Sequence, residues 1–316
     1  MRSTSASSLL RGWAFIFRKG ESIILKRLTF ILVISITLLF NYCDTKKSES
    51  DKIVIAASIP PIADFARNVG GDFVKVFTVV PPGANPHTFK LTTTLMQRIA
   101  DADMLVINGL ELEYWADKVI DNVPDTRIVD TSKGLFSGKE SLHAPDGHVN
   151  PHVWLDPDNA VYQISRIRDA LKELDSEHDE KYENQAKFYI YEIRQLQGNI
   201  QEEIATWQRK RFVCFHPAWA YFAEHFGLVM AGVIEKRPGS EPTPKDIAEI
   251  IEKVKAMNAK AIFTEAQFPS KVSEMIATES GVSVIPLDPL GGLDHVNGYL
   301  EILRYNVSQM AKGLKK

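Results

Sequence analysis

Residues 176–209 read SEHDEKYENQAKFYIYEIRQLQGNIQEEIATWQR, and this stretch decides how the chain is organised. Its apolar residues recur at spacings of three and four, it contains no proline, and Gly198 is its one glycine. This period predicts a single amphipathic helix. At 1.5 Å per residue the helix would run about 45 to 50 Å, enough to span two lobes. Because a continuous helix is a stiff connector, we expect only a small closing motion between the parts that it joins.

Short apolar runs alternate with helical segments on both sides of this helix. The candidate strands are 53–57, 74–80, 104–108 and 127–129 before it, and 211–215, 228–234, 261–264 and 282–286 after it. Such alternation predicts an α/β fold. We therefore expect two four-stranded α/β lobes, over 53–175 and 210–316, joined by the single long helix over 176–209.

The first 52 residues differ from the rest of the chain. Basic residues precede an uncharged apolar run, LTFILVISITLLF at 28–40, which is too short for an ordinary membrane span and is typical of a secretory signal. Cys43 follows it and precedes the polar stretch DTKKSESD, an arrangement that resembles a bacterial lipoprotein signal. We predict a signal peptide over 1–42, and a lipidated Cys43 with a flexible tether over 43–52. An uncleaved signal anchor and a plainly secreted protein are the alternatives.

The charge and the cysteine count exclude some classes of protein. The formal net charge is −3, which provides no basic surface for a phosphate backbone, so we expect no nucleic-acid partner. The second of the two cysteines, Cys214, lies in an apolar candidate strand. If Cys43 is acylated, no disulfide framework exists, and Cys214 is a small buried residue.

Three of the eight histidines are adjacent to a proline, namely His87 in ANPHTF, His152 in NPHVWLDP and His216 in CFHPAW. Asp288 in PLDPLGG has the same kind of neighbour. Proline restricts the backbone around it, so each side chain loses little freedom on binding a ligand. Each position also lies just after an apolar strand or at a strand-to-helix junction, where the crevice of an open α/β sheet binds ligands.

Three imidazoles and one carboxylate are donors that Zn²⁺ accepts in a tetrahedral shell. Two of the four residues lie in each predicted lobe, which predicts a metal site in the cleft between the lobes. The alternative is that each is an ordinary buried polar group with a hydrogen-bond partner. Because an imidazole must be neutral to bind a metal, we expect the affinity to fall as the pH drops through the histidine range.

A series of motifs then resembles a known family. PPGANPHTFKLTT, DADMLVINGLELEYW, GHVNPHVWLDP, FHPAWAYFAEHFGL, GSEPTP, IFTEAQF and IPLDPLGG occur in this order. They are similar to the successive signatures of the zinc/manganese solute-binding lipoproteins of ABC importers, some of which are called adhesins. The resemblance covers the chain from about Ile53 onward. It implies two α/β lobes joined by one long helix.

The resemblance also implies a ligand set and a partner. It places the metal ligands at His87, His152, His216 and Asp288, and histidine at the third position favours Zn²⁺ over Mn²⁺, which prefers oxygen ligands. Mn²⁺ or Fe²⁺ stays an alternative, since Asp288 could bind through both oxygens and raise the coordination number. The zinc assignment is also weakened because SLHAPDGHVN is short where many zinc-specific members have a long His-rich loop. We expect Glu241 and Glu265 to support the site without binding the metal.

The function that this implies is capture of Zn²⁺ outside the cytoplasmic membrane and delivery to an ABC permease. The protein would be a monomeric, membrane-anchored lipoprotein of the periplasm or cell surface, and not an enzyme. A zinc hydrolase is a rival, but Asp288 as a fourth protein ligand would close the position that a catalytic zinc keeps open for water. An adhesin with a merely structural metal is the third hypothesis.

Overall fold

A computed structural model describes residues 52–138, 140–236, 240–265, 267–268, 270–293 and 296–316. The predicted signal peptide and Cys43 lie outside the described residues. Among the residues that are described, no helix is long and apolar enough to cross a bilayer.

The N-terminal lobe is built on a four-stranded parallel sheet. Its strands are β1 (Ile53–Ala57), β2 (Val74–Thr78), β3 (Met104–Ile107) and β4 (Arg127–Asp130), in the order β2-β1-β3-β4. The helices between them are α1 (Pro60–Gly70), α2 (Thr93–Ala100) and α3 (Ala116–Ile120). All four residues of β3 are buried, as expected for a central strand with a helical layer on each face.

The C-terminal lobe repeats this arrangement. Its strands are β5 (Arg211–Cys214), β6 (Val229–Val233), β7 (Ala261–Glu265) and β8 (Ser283–Leu287), in the parallel order β6-β5-β7-β8. The helices are α6 (Ala220–His225), α7 (Pro244–Ala256) and α8 (Ser270–Ser280). A capping box fixes the start of α7, because the Thr243 and Asp246 side chains each accept from the other residue's backbone N–H. The α/β prediction of two four-stranded lobes is confirmed.

The linking helix, α5, spans Asp179–Ala205, 27 residues or about 40 Å. It follows α4 (Pro157–Leu174) and a 3₁₀ turn at Ser176–His178, so the α-helix begins three residues later than predicted. It also ends four residues earlier, at Ala205 instead of 209. Its buried residues follow the predicted stripe at spacings of three and four: Tyr182, Ala186, Tyr189, Ile193, Leu196, Ile200 and Ile204.

The final helix, α9 (Tyr299–Leu314), adds a second connection that the sequence did not indicate. It contacts α1 and α5 as well as the C-terminal sheet. The Asp64 carboxylate of α1 accepts hydrogen bonds from the Tyr299 backbone N–H, at 3.1 Å, and from the Tyr189 hydroxyl, at 2.5 Å. One hydrophobic cluster contains residues of both lobes and of the linking helix. A shared core of this kind supports the expectation of a small inter-lobe motion.

The order of strands positions the functional site. In each sheet the first strand in sequence has a later strand on either side, so a crevice opens beside its carboxyl end. The chain segments that leave β2, β4, β5 and β8 carry the four predicted metal ligands.

Candidate metal centre

His87 lies in the long connection between β2 and α2. Asn85 Oδ1 accepts a hydrogen bond from the backbone N–H of His87, at 2.9 Å, while Pro86 between them is buried. The turn and the proline together fix the direction in which the imidazole leaves the chain. His87 is the half-buried member of the set and therefore marks the side from which a ligand arrives.

His152 follows β4 and precedes the 3₁₀ turn Val153–Leu155 that leads into α4. Asn150 Oδ1 accepts from the His152 backbone N–H, at 3.0 Å, and lies 2.7 Å from the ring Nδ1. The amide oxygen is an acceptor, so the ring carries its proton on Nδ1 and leaves Nε2 as an unprotonated donor to a metal. The ring is 3% exposed.

His216 follows β5 and precedes the 3₁₀ turn Pro217–Trp219. Its Nδ1 lies 2.6 Å from Oε2 of Glu265, the last residue of β7, and Oε1 of the same carboxylate accepts from Trp219 Nε1 at 3.1 Å. A carboxylate behind the imidazole favours the tautomer with Nε2 free and increases its basicity as a ligand. Both His216 and Glu265 are buried.

The three imidazoles converge through their Nε2 atoms. His152 Nε2 lies 3.2 Å from His87 Nε2 and 3.1 Å from His216 Nε2. With Zn–N bonds of about 2.05 Å and tetrahedral angles, two nitrogen ligands of one zinc ion lie about 3.3 Å apart. The observed spacing is therefore close to that of a zinc shell. Without a cation, the Nε2 lone pairs of His152 and His216 would face each other at this distance.

Burial favours the neutral form of two of these imidazoles. It lowers the pKa of His87 to about 3, with a smaller contribution from the positive charge that His216 can carry. Burial also holds the pKa of His152 well below the usual value, with contributions from His216 and His87. Two of the three histidines thus stay unprotonated well below pH 6.5. The expected fall of affinity through the ordinary histidine range is therefore wrong for these two residues, because their burial moves protonation to lower pH.

Asp288 does not lie with the histidines. Among the residues that the structure describes, the group of metal-binding side chains at this place contains the three histidines and no carboxylate. Asp288 Oδ1 accepts from the backbone N–H groups of Leu290 and Gly291, at 3.1 and 2.8 Å, and Oδ2 accepts from that of Leu293 at 3.2 Å. The carboxylate thus shapes the turn after β8, and its role as a fourth ligand stays a prediction.

The three histidines line two cavities of different size. The smaller, of about 10 Å³, is also lined by Trp154, Phe268 and Leu290 and has room for one ion or water molecule. The larger, of about 200 Å³, is also lined by Glu111 and His148. The arrangement suits a small cation that enters from one side and is held without room for a larger substrate.

Two other histidines have partners of their own. His178 Nδ1 lies 2.9 Å from the Asp175 carboxylate, and His225 Nδ1 lies 2.8 Å from Asp156 Oδ1. The second pair adjoins Asp158, which also binds the Arg194 guanidinium, so a cation already occupies this acidic cluster. Neither histidine lies with the three convergent imidazoles.

The sequence indicates the supporting roles of Asn150 and Glu265 only in part. Glu265 was expected to support the site, but its partner, His216, is 49 positions away in the chain, a pairing that no local pattern indicates. Asn150 precedes His152 by two residues, and that spacing permits the observed amide-to-imidazole contact.

The chain is similar to a family of known proteins. Residues 55–313 match the family described as zinc-uptake complex component A periplasmic, ZnuA. The chain is 28% identical over 303 residues to the manganese-binding lipoprotein MntA of Halalkalibacterium halodurans, covering 92% of this chain and 100% of that one. It is 25% identical over 312 residues to the iron ABC transporter substrate-binding lipoprotein MtsA of Streptococcus pyogenes, covering 92% and 99%.

A crystal structure of ZnuA superimposes with a TM-score of 0.76 and 30% sequence identity, covering 83% of this chain and 99% of that one. The family match covers most of the chain, and the fold agrees with it. The chain therefore belongs to the ZnuA family of zinc-uptake complex components, whose members are the metal-binding, substrate-binding proteins of ABC importers and not enzymes.

Proposed function

We propose that this protein captures Zn²⁺ outside the cytoplasmic membrane and delivers it to an ABC permease. The observation that carries the proposal is the convergence of three imidazoles, with Nε2 of His152 lying 3.2 Å from Nε2 of His87 and 3.1 Å from Nε2 of His216. Their spacing suits tetrahedral Zn²⁺, and nitrogen ligands favour zinc over the harder Mn²⁺. Asn150 holds the His152 ring in the tautomer that a metal requires, and the Glu265 carboxylate lies 2.6 Å from Nδ1 of His216.

The second candidate for the bound metal is Mn²⁺ or Fe²⁺. Two of the relatives are named for manganese and for iron, so membership of the family does not select the metal. Asp288 also bears on this choice. If its carboxylate turned from the backbone N–H groups toward the histidines, it would add oxygen ligands and raise the coordination number, which favours Mn²⁺. Asp288 as a fourth ligand belongs to this proposal as a prediction.

The route of delivery forms the rest of the proposal. An acylated Cys43 would anchor the protein to the outer face of a membrane, and the tether up to residue 52 would let a monomer reach its permease. The relatives named above as lipoproteins support this placement.

The proposal is tested by metal analysis of the protein purified without added metal, followed by competition between Zn²⁺ and Mn²⁺. We expect one zinc per chain and displacement of Mn²⁺ by equimolar Zn²⁺. Retention of Mn²⁺ in the presence of equimolar Zn²⁺ would select the second candidate.

Circular dichroism of the metal-free protein separates capture from a structural metal. We expect the metal-free protein to stay folded, since each lobe has buried apolar residues of its own. Unfolding on metal removal would instead support the adhesin with a structural metal.

A further inference from the structure

The segment Asn150–Trp154, NPHVW, reaches across the cleft with two buried side-chain donors. Asn150 Nδ2 donates to the carbonyl of Pro217, and Trp154 Nε1 donates to the carbonyl of Pro289, each at 2.7 Å. Asn150 and Trp154 are both completely buried. These hydrogen bonds therefore connect the N-terminal lobe to the C-terminal lobe where water does not compete.

The two acceptors occupy corresponding places in the C-terminal lobe. Pro217 directly follows His216, and Pro289 directly follows Asp288. A proline has a carbonyl but no N–H, and it holds its own backbone stiffly. Each donor thus binds a rigid acceptor next to a residue predicted to bind metal, while His152 lies midway between the two donors in sequence.

Both the oxygen and the nitrogen of the Asn150 amide have partners. Its oxygen accepts from the backbone N–H and lies 2.7 Å from Nδ1 of His152, while its nitrogen donates to Pro217. The orientation of the imidazole and the contact between lobes therefore depend on one side chain. If the lobes separate, the amide loses its second partner and is free to rotate away from the ring.

We propose that Asn150 and Trp154 are positioning residues of an inter-lobe clamp, which holds the lobes closed around the ion and must yield before the imidazoles of the two lobes can move apart. The proposal rests on the proposed function for its role in release. Breaking either bond leaves a buried carbonyl unsatisfied, an unfavourable state in a dry seam. The two hydrogen bonds would thus add, next to the metal site, to the restraint that α5, α9 and the shared hydrophobic cluster place on the lobes.

Two substitutions each remove one donor with little change of shape. Asn150→Asp keeps an acceptor for His152 but places a carboxylate oxygen against the Pro217 carbonyl. Trp154→Phe keeps an aromatic ring but loses the N–H that Pro289 accepts. The matched control is Trp207→Phe, because Trp207 is also buried and its Nε1 donates to Glu203 Oε1, at 3.0 Å, away from the seam.

The lobe separation is measured in the metal-free protein by double electron–electron resonance, with spin labels on Asp125→Cys and Lys255→Cys, two exposed positions in different lobes. We expect the distance distribution to broaden in both donor variants and to stay as in wild type in Trp207→Phe. Wild-type distributions in both donor variants would overturn the clamp. If Trp154→Phe does not fold, Asn150→Asp alone decides.

The rate of zinc release into excess chelator is the second measurement. We expect Trp154→Phe to release zinc about tenfold faster than wild type, since one buried acceptor becomes unpaired. An unchanged rate would contradict the role in release. If the wild type binds no zinc, the proposed function fails, while the distance measurement still decides whether the clamp exists.

Discussion

Removing the charge of Glu265 should weaken zinc binding although Glu265 is not itself predicted to bind the metal. Its two oxygens face two donors, His216 Nδ1 at 2.6 Å and Trp219 Nε1 at 3.1 Å, and the residue is 2% exposed. In Glu265→Gln one oxygen becomes an NH₂ group, so one of these donors must face another donor. Loss of such a partner costs about 10- to 100-fold in metal affinity. We expect the zinc dissociation constant to rise about 30-fold, or by about 2 kcal/mol.

The assay is competition for zinc against a chelator of known affinity at pH 7.5, with urea unfolding of the metal-free protein alongside. Glu113→Gln is the matched control, because Glu113 is 4% exposed and accepts from the backbone N–H groups of Asn108 and Gly109, at 2.9 and 3.1 Å, in the other lobe. It should lose stability and keep its zinc affinity. Wild-type affinity in Glu265→Gln, or an equal loss in the control, would refute the reasoning.

Three further outcomes follow from the site. His216→Ala should weaken zinc binding by about 100-fold or more in calorimetry, while its circular dichroism spectrum stays like that of the wild type. His178→Ala should leave the zinc affinity unchanged. Equal effects of the two substitutions would refute the ligand assignment. Asp288→Asn should reduce the free energy of unfolding of the metal-free protein, measured in urea, by about 2 kcal/mol, because the amide has one oxygen in place of the two that accept three backbone N–H groups. Unchanged stability would contradict this. Between pH 7.5 and 5.5 the free energy of unfolding of metal-free His87→Asn should fall by about 1 kcal/mol less than that of the wild type, because the depressed pKa of His87 leaves it neutral when folded while the unfolded chain binds a proton. The raised pKa values of Glu113 and His225 act in the opposite direction in both proteins, so only this difference is informative, and identical pH profiles would refute the reasoning.

The elements of the fold were predictable because their signals are local. The predicted and observed bounds of β1 coincide, and those of β7 differ by one residue. The prediction for β2 ran two residues too far, to 80, because Val79 and Val80 are buried and apolar although they lie beyond the strand. The backbone N–H groups of Val79 and Val80 still donate to the carbonyls of Ala57 and Ser58, at 2.8 and 2.9 Å, so the contact with the β1 segment continues past the last residue of β2.

The site could be predicted where its residues share a local sequence feature, an adjacent proline. Proline adjacency identified His87, His152 and His216, which the structure brings together. The same signal identified Asp288, whose carboxylate is instead engaged by three backbone N–H groups of its own turn. A proline restricts the backbone to which the side chain is attached, but it does not determine which partner that side chain contacts.

The sequence by itself thus determined the strands, the linking helix and three candidate nitrogen ligands, because hydrophobic period and proline stereochemistry act within a few residues. Only the tertiary structure decided which groups meet across the cleft. Glu265 supports His216, Asn150 reaches Pro217, and α9 returns to the N-terminal lobe. These pairings join residues that are far apart in the chain, and they depend on the packing of two whole lobes, which no local pattern encodes.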